Sequence, residues 1–408
     1  GPVYHYSDSA NAAVRFPKAF DRSLFIYEWS RNWIKVVHFD DEYHVRSIEP
    51  FMPDNRFVRP IDLAFGPEGS LYVMEYGETW GINADARLID FTRARMLAPI
   101  RAAMLKTHNW RTYYYGNFAP EGGGGRESSR VDPASPGNVT WRTFDHRPRY
   151  GNNYAGLRNR IAILSEAYSY LDFKGRVEVT EDFVEEIWRA TVANGKTIMS
   201  LTAQADRQFT APPTSKPVEL GVDFEMRALS GTVDILVGDV TKVVNPRSGL
   251  AMLAMTDKAV PVPMKDYGVF EATRTLAMPL GWLIPASPRT TAALDHLRLH
   301  GVVMRVVGAA APVPVERFTI TDYTRAEREF QGHREARLQG TYQKAQLTVA
   351  PGAFYVPGNQ RLARLAFYLL EPESDDGLVT WNVIEEGLAV GATYPIYRVT
   401  STAGLRLK

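Results

Sequence analysis

The chain has 408 residues, no cysteine and a formal net charge of +1. Its 45% hydrophobic and 23% charged fractions are those of a globular protein and exclude wholesale disorder and collagen-like repeats. Without cysteine there is no disulfide, no thiolate metal site and no cysteine nucleophile, and near-neutral charge gives no electrostatic case for nucleic acid or an anionic membrane. No apolar run approaches the roughly 20 residues that cross a bilayer, and the first residues lack the charged-then-apolar pattern of a signal peptide.

Residues 1–93 hold 17 of the 47 aromatic residues, about twice the density of the rest, which marks them as a first region. Leu24-Phe-Ile-Tyr-Glu-Trp29, Trp33-Ile-Lys-Val-Val-His-Phe39 and Ser70-Leu-Tyr-Val-Met-Glu75 read as short strands between turn signals. Gly66-Pro-Glu-Gly69 reads as the tight turn before the last of them. Short strands with regular turns suggest a propeller, barrel or sandwich.

Residues 94–210 read as α/β. Residues 95–106 predict a helix with Met96, Leu97, Ile100, Met104 and Leu105 apolar, and the Gly/Ser/Pro-rich stretch 119–138 predicts a loop. Arg160-Ile-Ala-Ile-Leu-Ser-Glu166 is a continuous apolar run ending in a carboxylate, as expected of a strand buried on both faces. Thr180 is placed to cap the next helix, on which Phe183, Val184, Ile187 and Trp188 form one apolar stripe. The Pro-rich residues 211–217 predict a linker. Residues 218–408 are mainly β, with strands at 233–237, 302–307 and 363–370, a helix over 290–300 closed by Gly301, and a solvated charged stretch at 325–330.

Glu166 is the sharpest chemical feature. A carboxylate at the C-terminal end of a buried strand stands where open α/β sheets place their ligands, and partial burial would make it a general base. The alternative is a structural pair with Arg158 or Arg160. Arg147, Arg149, Arg158 and Arg160 form a basic cluster just before it. Arginine forks bind carboxylates bidentately, so Arg158 and Arg160 are the candidate substrate-binding residues, structural pairing again being the alternative. None of the eight histidines begins a His-x-x-Glu pair. His296 and His300 share a helix face at i, i+4, a spacing that can bind metal, but no third ligand accompanies them. His108 and His146 stand isolated. The run Gly122 to Gly125 lacks the Lys-Ser/Thr of a phosphate loop and reads as a flexible loop, and no Gly-x-Ser-x-Gly elbow is present.

Two family resemblances follow. Phe25-Ile-Tyr-Glu-Trp-Ser-Arg-Asn-Trp-Ile-Lys35 and Arg59-Pro-Ile-Asp-Leu-Ala-Phe-Gly-Pro-Glu-Gly-Ser-Leu-Tyr-Val73 resemble the last blades of the glucose/sorbosone dehydrogenase-like propeller, a quinoprotein family. That resemblance sets Arg59 near a quinone-binding arginine, with blade packing as its other reading. Tyr113-Tyr-Tyr-Gly-Asn-Phe118, Gly137-Asn-Val-Thr-Trp141, Phe144-Asp-His-Arg-Pro-Arg-Tyr-Gly-Asn-Asn-Tyr154 and Gly156-Leu-Arg-Asn-Arg-Ile-Ala-Ile-Leu-Ser-Glu-Ala-Tyr168 resemble the C-terminal part of a bacterial zinc carboxypeptidase of the carboxypeptidase A-like family. The tail from Leu370 to Asn382 is similar to that subgroup's accessory β region.

The second resemblance implies that Glu166 matches the catalytic glutamate that activates zinc-bound water. It also implies that the zinc ligands and the carboxylate-binding arginines belong to the part of the family N-terminal to this region, so zinc is the family's cofactor but is not expected on this chain. A substrate-binding tyrosine is expected before Trp141; the nearest are Tyr113 to Tyr115. The expected architecture is an α+β multidomain chain: partial propeller blades over 1–93, a partial α/β carboxypeptidase-like domain over 94–210, and a β accessory region over 218–408. The expected function is that of an incomplete metallocarboxypeptidase-like protein with a peptide substrate. The alternatives are a non-catalytic binding protein using the β region and a quinoprotein sugar dehydrogenase fragment. Open propeller edges would permit self-association, and the bacterial relatives imply a secreted or periplasmic location.

Overall fold

The computed structural model describes residues 3–8, 16–28, 33–53, 62–65, 71–74, 83–121, 138–167, 171–210 and 217–408. The expected turn at 66–69, Arg59, the glycine run at 122–125 and most of the linker at 211–217 lie outside these residues. The chain divides into two compact units, residues 1–77 and 78–408.

In the first unit, β1 (Leu24–Glu28), β2 (Trp33–Phe39) and β3 (Val45–Pro50) form an antiparallel sheet, and β4 (Asp62–Phe65) pairs with β5 (Leu71–Met74). The three expected strands are thus present as β1, β2 and β5. Alternation along β2 turns Ile34 and Val36 inward, where they bury against Tyr4 and Phe25. Phe16, Phe20 and Phe51 close that core with edge-to-face and tilted contacts, Phe25 and Phe51 lying 5.3 Å apart between ring centres. A propeller blade is a four-stranded sheet, whereas the described strands here give one sheet of three and one of two.

The second unit opens with α1 (Ala86–Phe91), a π-helical stretch (Thr92–Leu97) and α2 (Ala98–His108) in one unbroken helix. Residue 93, the expected region boundary, lies inside it. Pro99 has no N–H to return to the carbonyl four residues earlier, and the turn ahead of it is the widened one. Asn109, at φ 61°, ends the helix. Then come β6 (Asn117–Pro120), β7 (Val139–Arg142), α3 (Gly151–Leu157) and α4 (Phe173–Arg207).

Three expectations fail in this stretch. The run 160–166 belongs to no strand: Ile161 and Ile163 instead pack into the core between α2 and α4, beside Met104, Phe183 and Ile187. An interior strand needs partners on both edges, and an apolar run serves equally as filler between helices. The cap of α4 is Asp172, whose carboxylate accepts from the Gly175 N–H at 2.7 Å; Thr180 sits inside the helix with its hydroxyl on the Arg176 carbonyl. The expected single stripe also divides, since Phe183 and Ile187 face the core while Val184 and Trp188 are exposed.

β8 (Glu219–Arg227), β9 (Val233–Val244), β10 (Ala251–Tyr267) and β11 (Val269–Ala277) follow. β10 pairs antiparallel with β9 and parallel with β7, so one sheet, in order β6-β7-β10-β9, joins chain from both sides of residues 211–217. β11 pairs with β8. The remaining elements are β12 (Gly281–Ile284), α5 (Pro288–Leu299), β13 (Arg305–Val306), β14 (Ala311–Arg325), β15 (Ala336–Val349), β16 (Phe354–Pro357), α6 (Ala363–Leu370) and β17 (Tyr397–Val399). Their strands form a six-stranded antiparallel sheet in the order β13-β16-β12-β17-β14-β15.

That sheet is covered on both faces. Trp282, Ile284, Phe318, Ile320 and Val356 belong to one buried cluster, with α5 and α6; Leu283, Val313, Val315, Tyr355 and Val399 belong to another. Alternate residues of β12 therefore enter different cores, and the strand reads as apolar throughout. The helix expected at 290–300 forms as α5, with Gly301 beyond it at φ +73°, the left-handed region glycine accepts readily. Two strand expectations are corrected. Residues 363–370 are the helix α6, buried nearly all round, which an apolar octet permits as readily as a strand. Of 302–307 only Arg305–Val306 is strand. Burying each Leu or Phe of α6 contributes about 1.5–3 kcal/mol. Among the described residues no helix is long and apolar enough to cross a membrane.

Candidate functional site

Glu166 follows Leu164, which is buried where the segment leaves the α2–α4 core. The residue itself is exposed, yet burial by neighbouring chain raises its carboxyl pKa above the ordinary value. No described residue hydrogen-bonds or ion-pairs with that carboxylate. The pairing considered with Arg158 or Arg160 is therefore not made. Arg158 donates to the His300 carbonyl at 2.7 Å and to the Tyr154 hydroxyl at 3.0 Å. Arg160 forks onto Asp206, at 3.1 and 3.0 Å, and its charge and hydrogen bonds with that of Asn159 outweigh burial to hold the Asp206 carboxyl low.

The other two arginines of the cluster are also paired. Arg147 binds Asp145 and reaches Glu335; Arg149 binds Glu335 and Asp376. Burial raises Asp376, an effect Arg149 opposes; at Asp145 and Glu335 burial acts the same way, but the arginines prevail and both carboxyls are low. His146 is not isolated. It is buried between the rings of Phe224 and Phe270, with Nε2 2.9 Å from Asp375. Tyr368 donates to the other oxygen of Asp375, and burial of that carboxyl is outweighed by His146 and Tyr368, so its pKa is lowered. This network ties the 145–149 loop to the start of β15 and to the 373–376 loop.

His108, at the end of α2, is not isolated either. Its Nδ1 lies 3.1 Å from Asp182 and its Nε2 3.0 Å from Glu186, both on α4, while Trp110 Nε1 donates to Asp182 at 2.7 Å. Ligand atoms of His108, Asp182 and Glu185 lie within 4.8 Å of one another, a donor set able to meet a divalent cation. A catalytic zinc of the carboxypeptidase kind does not fit it. Arg189 already bonds Glu185 at 2.6 Å and Glu186 at 2.8 Å, both His108 nitrogens face carboxylates, and no described contact links the group to Glu166. The expected pair His296 and His300 gains no metal partner: His300 Nδ1 meets the Tyr154 hydroxyl at 2.8 Å, and burial, then the charges of His296 and Arg158, lower its pKa.

Tyr113 and Tyr114 lie against Trp141, and Tyr115 against Phe144. The Tyr113 hydroxyl donates to Asp266 at 2.7 Å, and burial first, then that bond, raises its pKa. The Tyr114 carbonyl accepts from Trp141 Nε1 at 3.1 Å. Sequence reasoning missed the partners of both histidines. The signals were present: Asp182, Glu185 and Glu186 fall on one side of a helix, and Asp375-Asp376 closes an acidic run that begins at Glu371.

Three curated fungal proteins align with the chain. "Carboxypeptidase 2" from Trichophyton rubrum, from Trichophyton tonsurans and from Trichophyton equinum are each 27% identical to it over 169 residues, 41% of this chain. The chain spans about 30% of the length of these relatives. No family profile matches the chain, and no solved structure matches it. The chain thus contains a carboxypeptidase-like region.

Proposed function

We propose that this region binds the C-terminal end of a peptide, with Glu166 standing where the family has its catalytic carboxylate, and that the isolated chain does not turn substrate over. The observation that carries this reading is the 169-residue likeness to proteins named Carboxypeptidase 2. An exposed carboxylate with a raised pKa and no partner among the described residues supports it, because such a group is free to accept a proton from an attacking water. In the family, zinc supplies the polarisation that makes such a water acidic; without it the water stays far too weak an acid for a carboxylate alone to deprotonate. The chain has no His-x-x-Glu pair, and the His108 group is neutralised from within.

The test is metal analysis after dialysis, followed by hydrolysis of blocked dipeptides with and without added zinc. We expect no stoichiometric zinc and no hydrolysis. One tightly held zinc per chain, with hydrolysis abolished by chelator and by Glu166→Gln, would overturn the second half of the proposal. One observation favours the second reading, a binding protein that uses the β region and not this site: all four arginines ahead of Glu166 already use donors inside the chain. The quinoprotein propeller remains a proposal for residues 1–93, tested by quinone-dependent dye reduction.

A further inference from the structure

We propose that a cleft between the start of α1, the end of α4, the first residues of β8 and α6 binds a small carboxylate that carries an apolar tail. The cleft has a volume of about 610 Å³, within the ~300–1,000 Å³ of small-molecule sites. It shares no residue with the site described above, so neither proposal depends on the other.

The argument begins with Arg364. Its side chain is 8% exposed, on an otherwise apolar helix. A buried guanidinium is stable only when its charge and its N–H groups are matched. Here the matching is partial. One terminal nitrogen donates to the Asn83 carbonyl at 2.8 Å and the other to the Gln208 side chain at 2.6 Å; both acceptors are neutral. Nε has no hydrogen-bond partner among the described residues. The nearest carboxylate, Asp85, is 3.7 Å away and already gives both oxygens to Arg87, at 2.9 and 2.7 Å. One negative charge is therefore shared by two guanidinium groups.

A third cation lines the same cleft. Arg207, in the last turn of α4, is exposed, and no described residue pairs with its guanidinium. The lining carries three arginines against Asp85 and Glu219, a surplus of one positive charge. Val218, Leu220 and Ala272 supply an apolar wall beside it. A single negative charge completes the set, and a carboxylate matches a guanidinium fork in shape. The wall gives an attached hydrocarbon somewhere to leave water. Such a ligand is either a free organic acid or the carboxyl end of an apolar peptide, and the probes below separate the two.

Isothermal titration and thermal shift on the full chain test the proposal with hexanoate, acetate, phosphate, hexylamine and N-acetylleucine. We expect hexanoate to bind and to raise Tm, with acetate and phosphate at least ~10-fold weaker and hexylamine silent, since tail and charge must act together. Arg207→Gln, on the surface, should leave the free protein's Tm unchanged and weaken hexanoate ~10-fold; Arg364→Lys, which keeps the charge and loses the fork, should weaken it further. Tighter binding of N-acetylleucine than of hexanoate would assign the carboxylate to a peptide end, and the reverse to a free acid. Phosphate binding as tightly as hexanoate would reduce the cleft to a general anion site and overturn the proposal. So would hexylamine binding equally well, or an Arg207→Gln protein that binds hexanoate unchanged.

Discussion

Around Glu371, charge is buried and completely matched; along α4, apolar surface is left in water. The Glu371 carboxylate, without exposed side-chain surface, accepts from Trp282 Nε1 at 2.8 Å, from the Tyr342 hydroxyl at 2.7 Å and from Arg398 at 3.0 and 2.7 Å. Those partners come from β12, β15 and β17, so the site exists only when the six-stranded sheet is assembled. On α4, the outward side presents Phe173, Val177, Val184, Trp188, Val192 and Met199, with Trp188 65% and Val192 79% exposed. The β part of the 78–408 unit is a finished core. The helical part buries only the side of α4 that meets α1, α2 and the 160–166 segment.

The first way to break this comparison is Glu371→Leu. It leaves the Arg398 charge and the Trp282 and Tyr342 donors without an acceptor, and should cost about 3–5 kcal/mol in urea denaturation. A loss near zero would mean that the β part does not depend on its buried pair.

Acid should act second. Five carboxyls of the described residues, Asp85, Asp145, Asp206, Glu335 and Asp375, have lowered pKa values; two, Glu166 and Asp376, have raised ones. A lowered carboxyl stabilises the fold above its unfolded value of ~4, and that stability is lost as pH falls further. The two raised carboxyls act in the opposite sense and are outnumbered. His300, lowered by burial, must take up a proton on unfolding, so its contribution is lost earlier, as pH falls below ~6.5. Denaturation midpoints between pH 8 and 3 should therefore fall in two stages, the upper one absent in His300→Asn. A single stage in the native chain would contradict this assignment.

Val192→Lys on the open side of α4 should change stability by no more than ~0.5 kcal/mol, whereas a cost of several kcal/mol would show that this side is covered in solution. Glu166→Gln should be the smallest effect, near neutral in denaturation midpoint, because no described residue pairs with it. A large drop there would expose a structural ion pair.

How much of this could be read from sequence follows from the range of each signal. β1, β2 and α5 are set by alternation, aromatic content and a Ser287–Thr290 cap followed by Gly301, all of them signals local in the sequence. The octet Ala363–Leu370 carries no such local signal, since its burial all round is decided by the sheet it packs on. Residues 160–166 have the composition of an interior strand, but strand formation depends on neighbours that composition cannot supply. Glu166 was legible as a candidate by resemblance, while its exposure was not. The partners of His108 and His146 lie on elements remote in sequence, and nothing near either histidine specifies them.

The two-faced burial of the six-stranded sheet also sets the order in which backbone amides meet solvent. β12 lies between β16 and β17, bonded on both edges and walled by a separate apolar cluster on each side. No local opening frees its N–H groups without dismantling both clusters. Deuterium should consequently enter Trp282, Leu283 and Ile284 last in the 78–408 unit, at a rate governed by global unfolding. The ends of α4, which fray without such walls, should exchange well before them.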